Sequence, residues 1–189
     1  MGKALFITGT GTDIGKTYVT GLIVKKLRDA GLRAGYYKAA LSGAETLADG
    51  TLLPGDALHV ARVAGLAAAD TTVSYIYRDA VSPHLAAQIE NRPMDFDKVE
   101  QDYRTAKERT EYLTVEGSGG IICPLRWDNE EHVILDDLVL RLGLSALVVA
   151  DAGLGTINAA VLTAEHLKMR GIPLKGFIFN NWTGGTMQE

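Results

Sequence analysis

Cysteine occurs once in the 189 residues, at Cys123, so neither a disulfide framework nor a cysteine-rich metal site can be built. A single thiol suits a reducing compartment. Proline is also scarce, 5 residues against 21 glycines, and no proline- or serine-rich linker divides the chain. One domain is the expectation, since a domain usually takes about 100–200 residues. No apolar run approaches the ~18 residues of a membrane span, and Ala4–Ile7 is too short for a secretory core. Gly2 opens the register of a myristoylation signal, but Phe6 and Ile7 stand where a hydroxyl residue is needed. Excess positive charge is missing too: 19 basic residues against 23 acidic give a formal net charge of −4. That disfavours a surface that tracks nucleic-acid phosphates and points to a small-molecule partner. The expectation is a soluble cytoplasmic protein with no nucleic-acid and no membrane partner.

What is present is glycine at the ends of apolar runs, the mark of strand-to-helix turns. Ala4–Ile7 reads as a strand buried on both faces, and Lys16–Ala30 as a helix carrying Val19, Leu22, Ile23, Leu27 and Ala30, stopped by Gly31. Ala34–Lys38 predicts a second strand. Leu53–Gly65 holds a helix opening at Asp56 as N-cap, and Thr72–Tyr77 predicts a strand. Ser82–Glu90 and Asp95–Arg109 read as helices, Tyr112–Glu116 as a strand stopped by Gly117-Ser118-Gly119-Gly120. Leu135, Leu138, Val139 and Leu142 mark another helix face. Ala146–Ala150 is a buried strand, Thr156–Met169 a helix carrying Ile157, Ala160, Val161 and Ala164, and Gly176–Phe179 the last strand. Strands alternating with amphipathic helices imply an α/β fold, a single doubly wound, mostly parallel sheet with helices on both faces. Ligands of such sheets sit at the carboxyl ends of the strands. The unusual residues collect there: Gly9–Thr17, Lys38–Gly43, Glu116–Gly120, Asp151–Thr156 and Asn180-Asn181.

Gly9-Thr10-Gly11-Thr12-Asp13-Ile14-Gly15-Lys16-Thr17 lies between a strand and a helix. A nucleoside triphosphate needs inward backbone N–H groups, a lysine on the outer phosphates and a hydroxyl on Mg2+, and this loop supplies all three. The first spacing is longer than the strict phosphate-loop pattern, with Thr10 where that pattern has glycine. The bland alternative is a glycine-rich turn with an incidental Gly-Lys-Thr. Glu116, ending an apolar strand, stands where phosphate-loop NTPases keep a magnesium-holding acid, the bland alternative being a carboxylate capping or bonding the following glycine turn. Lys38 is a second lysine at the same edge, useful if another anion must be held against the γ-phosphate, and otherwise a solvated strand end. Cys123 reads as a small buried apolar residue, His84 as structural or exposed, and Tyr36, Tyr37, Trp127 and Trp182 as packing unless they flank a ligand.

In this order and spacing the chain resembles the dethiobiotin synthetase family over nearly its whole length. The motifs are Gly9–Thr17, Tyr37-Lys38 with Ser42-Gly43, Gly55-Asp56-Ala57, Ser82-Pro83-His84, Val115–Gly120 with Pro124-Leu125, Leu154–Asn158, and Asn180. The resemblance implies a phosphate-loop NTPase fold and ATP- and Mg2+-dependent carboxylation and ring closure of 7,8-diaminononanoate with CO2 or bicarbonate, giving dethiobiotin, ADP and phosphate through a carbamate and a carbamic–phosphoric anhydride. It implies catalytic roles for Lys16, Lys38, Thr12 and Ser42, and magnesium ligation by Thr17, Asp56 and Glu116. Nucleotide contacts would come from Gly11, Thr12, Asp13, Ile14, Gly15, Lys16, Thr17, Glu116 and Gly119, with Asn180 reading adenine. The substrate would be held by Lys38 and Ser42, and its carboxylate by Gly153, Leu154 and Asn158 of the neighbouring subunit of a homodimer.

The chain departs from the family pattern at Asp13, where a longer acid is frequent, at Ala39-Ala40, where proline follows the lysine, and at Gly153, where some relatives carry lysine. It ends at Glu189, so residues 1–189 are expected to be one ATP-binding ligase domain lacking the C-terminal segment with which relatives finish the adenine pocket. The competing readings are a regulatory ATPase of the partitioning or cell-division type, an amidotransferase-type ligase, and a nucleotide-binding module without catalysis. The first normally carries an extra lysine early in the loop, where Thr10 and Gly11 stand here.

Overall fold

A computed structural model describes residues 2–185. Its elements are β1 (Lys3–Gly9), α1 (Lys16–Asp29), β2 (Ala34–Leu41), the short β3 (Glu45–Thr46) and β4 (Leu52–Leu53), α2 (Gly55–Ala64) and a 3-10 turn at Ala68–Asp70. There follow β5 (Thr71–Ile76), α3 (Pro83–Ile89), α4 (Phe96–Glu108), β6 (Tyr112–Glu116), β7 (Pro124–Trp127), β8 (His132–Ile134), α5 (Leu135–Arg141), β9 (Ala146–Asp151), α6 (Thr156–Met169) and β10 (Leu174–Asn180). Six strands form one sheet in the order β10-β9-β1-β6-β2-β5, every neighbouring pair parallel. This is the expected α/β sheet. Two small antiparallel hairpins, β3–β4 and β7–β8, are additions that the strand–helix alternation did not announce.

Period-two alternation sends neighbouring side chains of a strand to opposite faces, and β2 shows both faces filled. Tyr36 packs with Val24, Ala57 and Val60 of α1 and α2, while Tyr37 belongs to the larger core with Phe96, Val99 and Tyr103 of α4. All eight β2 residues are buried. The strand runs three residues past the expected end at Lys38, because that lysine is ion-paired inside the fold and does not turn the chain toward water.

Chain order explains where the crevice falls. β1 does not pair with β2, since β6 lies between them, and the later strands β9 and β10 add on the other side of β1. The carboxyl ends of β1, β6 and β2 therefore lie side by side where the winding reverses, the usual ligand position in such sheets.

Several local expectations are corrected. The N-cap of α2 is Pro54, with no side-chain cap, and Asp56 lies inside the first turn, its carboxylate drawn to Lys38. On α1, Leu22 is half-exposed and Val24 fully buried. On α6 the apolar residues are spread around the helix: Ala160, Thr163 and Leu167 are buried against the sheet, whereas Ile157 and Val161 face outward. Cys123 is half-buried at the edge of the core, and burial pushes its thiol up to about 11, which leaves it an unreactive neutral group. Trp127 and Trp182 are both about half-exposed, so neither is a core residue, and Trp127 stacks on His132 at a centroid distance of 4.4 Å.

Candidate functional site

Three parallel strand ends bring the charged residues together. Glu116 closes β6 with Ile7 of β1 on one side and Lys38 of β2 on the other in register. β1 then enters the glycine loop, which leads into α1. Gly15 sits at the α1 N-cap with φ of +90°, and a Cβ there would lie 2.1 Å from Asn180 Nδ2, so only glycine fits. Asp13 also takes a left-handed conformation, φ +58°. No side chain caps α1, so the N–H groups of its first turn, which have no intrahelical acceptor, remain for an anion.

These elements enclose a cleft of about 450 Å3 lined by Thr12, Asp13, Gly15, Lys16, Thr17, Lys38, Ser42, Asp56, Glu116, Ser118 and Gly119. Ten of the eleven were expected at the site from sequence. The eleventh is Ser118 of the glycine turn, whose hydroxyl donates to the Ala40 carbonyl at 2.7 Å and ties that turn to β2. Gly11 and Ile14 belong to the same loop without lining this cleft, Gly11 accepting from Lys16 through its carbonyl and Ile14 packing on the small core around Ile7, Val19 and Val149.

The two lysines stand in opposite electrostatic situations. Lys38 Nζ donates to Asp56 Oδ2 at 2.5 Å and Glu116 Oε1 at 2.8 Å. Burial works against its ammonium, but the two carboxylates outweigh that and hold its pKa above the ordinary lysine value. Lys16 is also buried, yet its Nζ donates to the carbonyl of Gly11 at 2.6 Å and no described carboxylate pairs with it. Burial and the neighbouring Lys38 charge lower its pKa. A buried ammonium without a counter-ion is costly, and a bound anion would relieve it.

Glu116 is the hub. Its Oε1 accepts from Thr17 Oγ1 at 2.8 Å and from Lys38, and its Oε2 accepts from the Tyr36 hydroxyl at 3.2 Å. Tyr36, expected only to pack, is thus a polar partner of the site. Its phenol pKa is raised well above the usual value by burial and by the Glu116 charge, which keeps it a neutral donor. Thr17, Asp56 and Glu116 offer two carboxylates and a hydroxyl, hard oxygen donors that suit Mg2+, which prefers one or two carboxylates and completes its shell with water and phosphate oxygens. Among the described residues no group of three or more His, Cys, Asp or Glu is gathered for a metal, so the set fits an ion arriving with phosphates better than one in an all-protein cage.

Asn180 Nδ2 donates to the Ile14 carbonyl at 2.9 Å, which ties the end of β10 to the loop. A second, open cleft beside it is lined by Asp13, Gly15, Tyr18, Phe179, Asn180, Asn181 and Trp182. Gly153, Leu154 and Asn158 line neither cleft; Leu154 is 93% exposed, and the Gly153 N–H donates to Asp151 Oδ2 at 2.8 Å. Sequence reasoning overlooked that shaping role of Asp151, whose only signal was its position at a strand end. No described helix is long and apolar enough to cross a membrane.

Comparison with known proteins adds three findings. The family described as AAA domain matches residues 3–187. The chain is 50% identical over 183 residues, 96% of its own length and 80% of the relative's, to the ATP-dependent dethiobiotin synthetase BioD of Clostridium botulinum (strain Loch Maree / Type A3), and equally to that of Brachyspira hyodysenteriae (strain ATCC 49526 / WA1). Among solved structures, the kinase domain of Escherichia coli tyrosine kinase ETK superposes with a TM-score of 0.58 at 19% identity, covering 98% of this chain and 69% of that one, a likeness of fold alone.

Proposed function

From the premise that the chain belongs to the ATP-dependent dethiobiotin synthetase family, we propose that the cleft around Lys16, Lys38 and Glu116 closes the ureido ring of dethiobiotin. The reaction serves biotin biosynthesis, with ATP, CO2 and 7,8-diaminononanoate as substrates and Mg2+ as the nucleotide's partner. One observation carries the assignment of the site: two buried ammonium groups converge on one cleft, and of the two only Lys38 is in direct ion pairs with described carboxylates.

The chemistry needs that surplus. One amine of the diamine captures CO2 and loses a proton, giving a carbamate. The carbamate oxygen attacks the γ-phosphorus as ADP leaves, forming a carbamic–phosphoric anhydride. The second amine then attacks the carbonyl, loses its proton and expels phosphate. The middle step drives an anion onto an anion, so positioning and fixed positive charge dominate its barrier. Lys16 holds the outer phosphates, with the α1 N-terminus and the loop from Gly11 to Thr17 beneath them. Lys38 bridges carbamate and γ-phosphate, and Thr12 and Ser42 supply hydroxyl contacts to the reacting groups. Thr17, Asp56 and Glu116 hold Mg2+, which neutralises phosphate charge when bound. Asn180 reads the base in the neighbouring open cleft.

Phosphate release from MgATP is therefore expected to require the diamine and bicarbonate together, measured by a coupled phosphate assay. Equal release with the diamine omitted would sink this reading in favour of a switch ATPase.

The substrate carboxylate is assigned to Gly153, Leu154 and Asn158 of a second subunit. What supports this is an outward apolar surface at the start of α6, with Leu154 93% and Ile157 79% exposed, beside a helix N-terminus suited to an anion. Sedimentation at micromolar concentration is expected to give a homodimer. A monomer there would remove the shared site.

A further inference from the structure

Tyr36 and Glu116 are both buried, on adjacent strands and on the same face of the sheet, since Lys38 pairs with Glu116 and Tyr36 with Thr114 two residues below. The hydroxyl of Tyr36 reaches one carboxylate oxygen of Glu116, Oε2, at 3.2 Å. The other oxygen, Oε1, accepts from Thr17 and Lys38, which line the cleft. The two oxygens thus have divided tasks. Tyr36 itself does not line the cleft and contacts nothing that reacts, so any influence it has passes through Glu116.

We propose that Tyr36 is a positioning residue that sets the cation specificity of the site, by holding Glu116 so that it presents a single oxygen. The inference rests on the proposed role of Glu116 as a ligand. Mg2+ demands a small octahedral shell that leaves little room for a carboxylate's second oxygen, whereas Ca2+ accepts larger shells and takes carboxylates through one oxygen or through both. With Oε2 tied down by the phenol, Glu116 fits the first ion and disfavours the second. A hydrogen bond behind a ligand also fixes its direction, and losing such a partner typically weakens metal binding about 10–100-fold.

The test uses the protein with ADP and Mn2+ as the probe, free Mn2+ being read by electron paramagnetic resonance and displaced by Mg2+ or Ca2+. In Tyr36→Phe the preference for Mg2+ over Ca2+ is expected to fall about tenfold, through weaker Mg2+ and unchanged or stronger Ca2+ binding. A role in folding alone would lower the melting temperature and leave that ratio where it was, and an unchanged ratio overturns the proposal. Glu116→Gln separates the premise from the inference: weakened Mn2+ binding there with an unchanged ratio in Tyr36→Phe removes the inference only, while unaltered Mn2+ binding removes both. Should Tyr36→Phe fail to fold, the wild-type protein decides. With glutamate carboxyls labelled with 13C, the carboxylate stretching bands on Mg2+ loading are expected to show one-oxygen coordination, and a two-oxygen pattern overturns the proposal.

Discussion

Lys16→Met is expected to lower turnover by at least about a thousandfold, the scale on which loss of a preorganised donor to transition-state charge is felt, while the unliganded protein stays as stable or becomes more so. The two halves of this result come from one observation. Lys16 is buried with its ammonium on the Gly11 carbonyl and no described carboxylate in ion-pair contact, and burial, with the Lys38 charge, lowers its pKa against the weaker pull of Glu116, Asp13 and Asp56. A folded-state pKa below the unfolded one means that folding disfavours the charged form at neutral pH, so an uncharged side chain of similar length relieves the apo protein. The same charge is what a triphosphate meets. Both kcat and the affinity for MgATP should fall, since Lys16 holds the phosphates in the ground state and holds them more strongly as charge gathers in the transition state. Steady-state kinetics with a thermal melt of each apo protein checks both halves. Intact turnover would remove the loop as the phosphate site, and a large drop in melting temperature would mean that Lys16 has a structural counter-ion.

Much of this site was legible because phosphate chemistry writes itself locally. The loop from Gly9 to Thr17 carries its lysine, hydroxyl and glycines within nine positions, and strands that end in glycine announce the edge where ligands bind. Lys38 and Glu116 could be placed at that edge from strand pattern alone. That they stand in register on neighbouring strands could not, since this depends on β6 inserting between β1 and β2. Pairing across a sheet is a tertiary fact, and the ion pair of Lys38 with Glu116 follows from it.

The residues that were misread show the same limit from the other side. A tyrosine between apolar neighbours has the composition of a core residue, and Tyr36 is one; only the depth of Glu116 beside it turns the hydroxyl into a partner. Asp56, ahead of a helical stretch, has the signature of an N-cap, but the attraction of a buried ammonium outweighs the gain of about 1 kcal/mol from capping. The outward residues of α6, Ile157 and Val161, look like core because hydrophobic periodicity cannot say whether an apolar face meets its own sheet or another surface.

Lys38→Met should behave as the converse of Lys16→Met: the apo protein loses stability, and kcat falls by about 100-fold or more with ATP affinity changed by less than about threefold, under ~0.7 kcal/mol. Lys38 is tied to Glu116 and Asp56, and Glu116 is almost wholly buried. Removing one member of a buried pair costs about 3–5 kcal/mol, because the abandoned charge stays in a poorly solvated place. Asp56 is about a third exposed, so water offsets its share and the lower end applies. A loss of ~3 kcal/mol lowers the melting temperature of a domain this size by roughly 10 °C, and Mg2+ should recover part of it by giving the carboxylates a cation again. The kinetic half follows from where charge gathers. If Lys38 meets the carbamate and γ-phosphate as they join, its contribution is made mainly in the transition state, so kcat suffers and binding does not. Lys38→Arg keeps the charge but not the compact ammonium, and is expected to rescue the melting temperature more than the rate. Wild-type kcat in Lys38→Met, with only the stability loss, would show that the ion pair is the whole of this lysine's role.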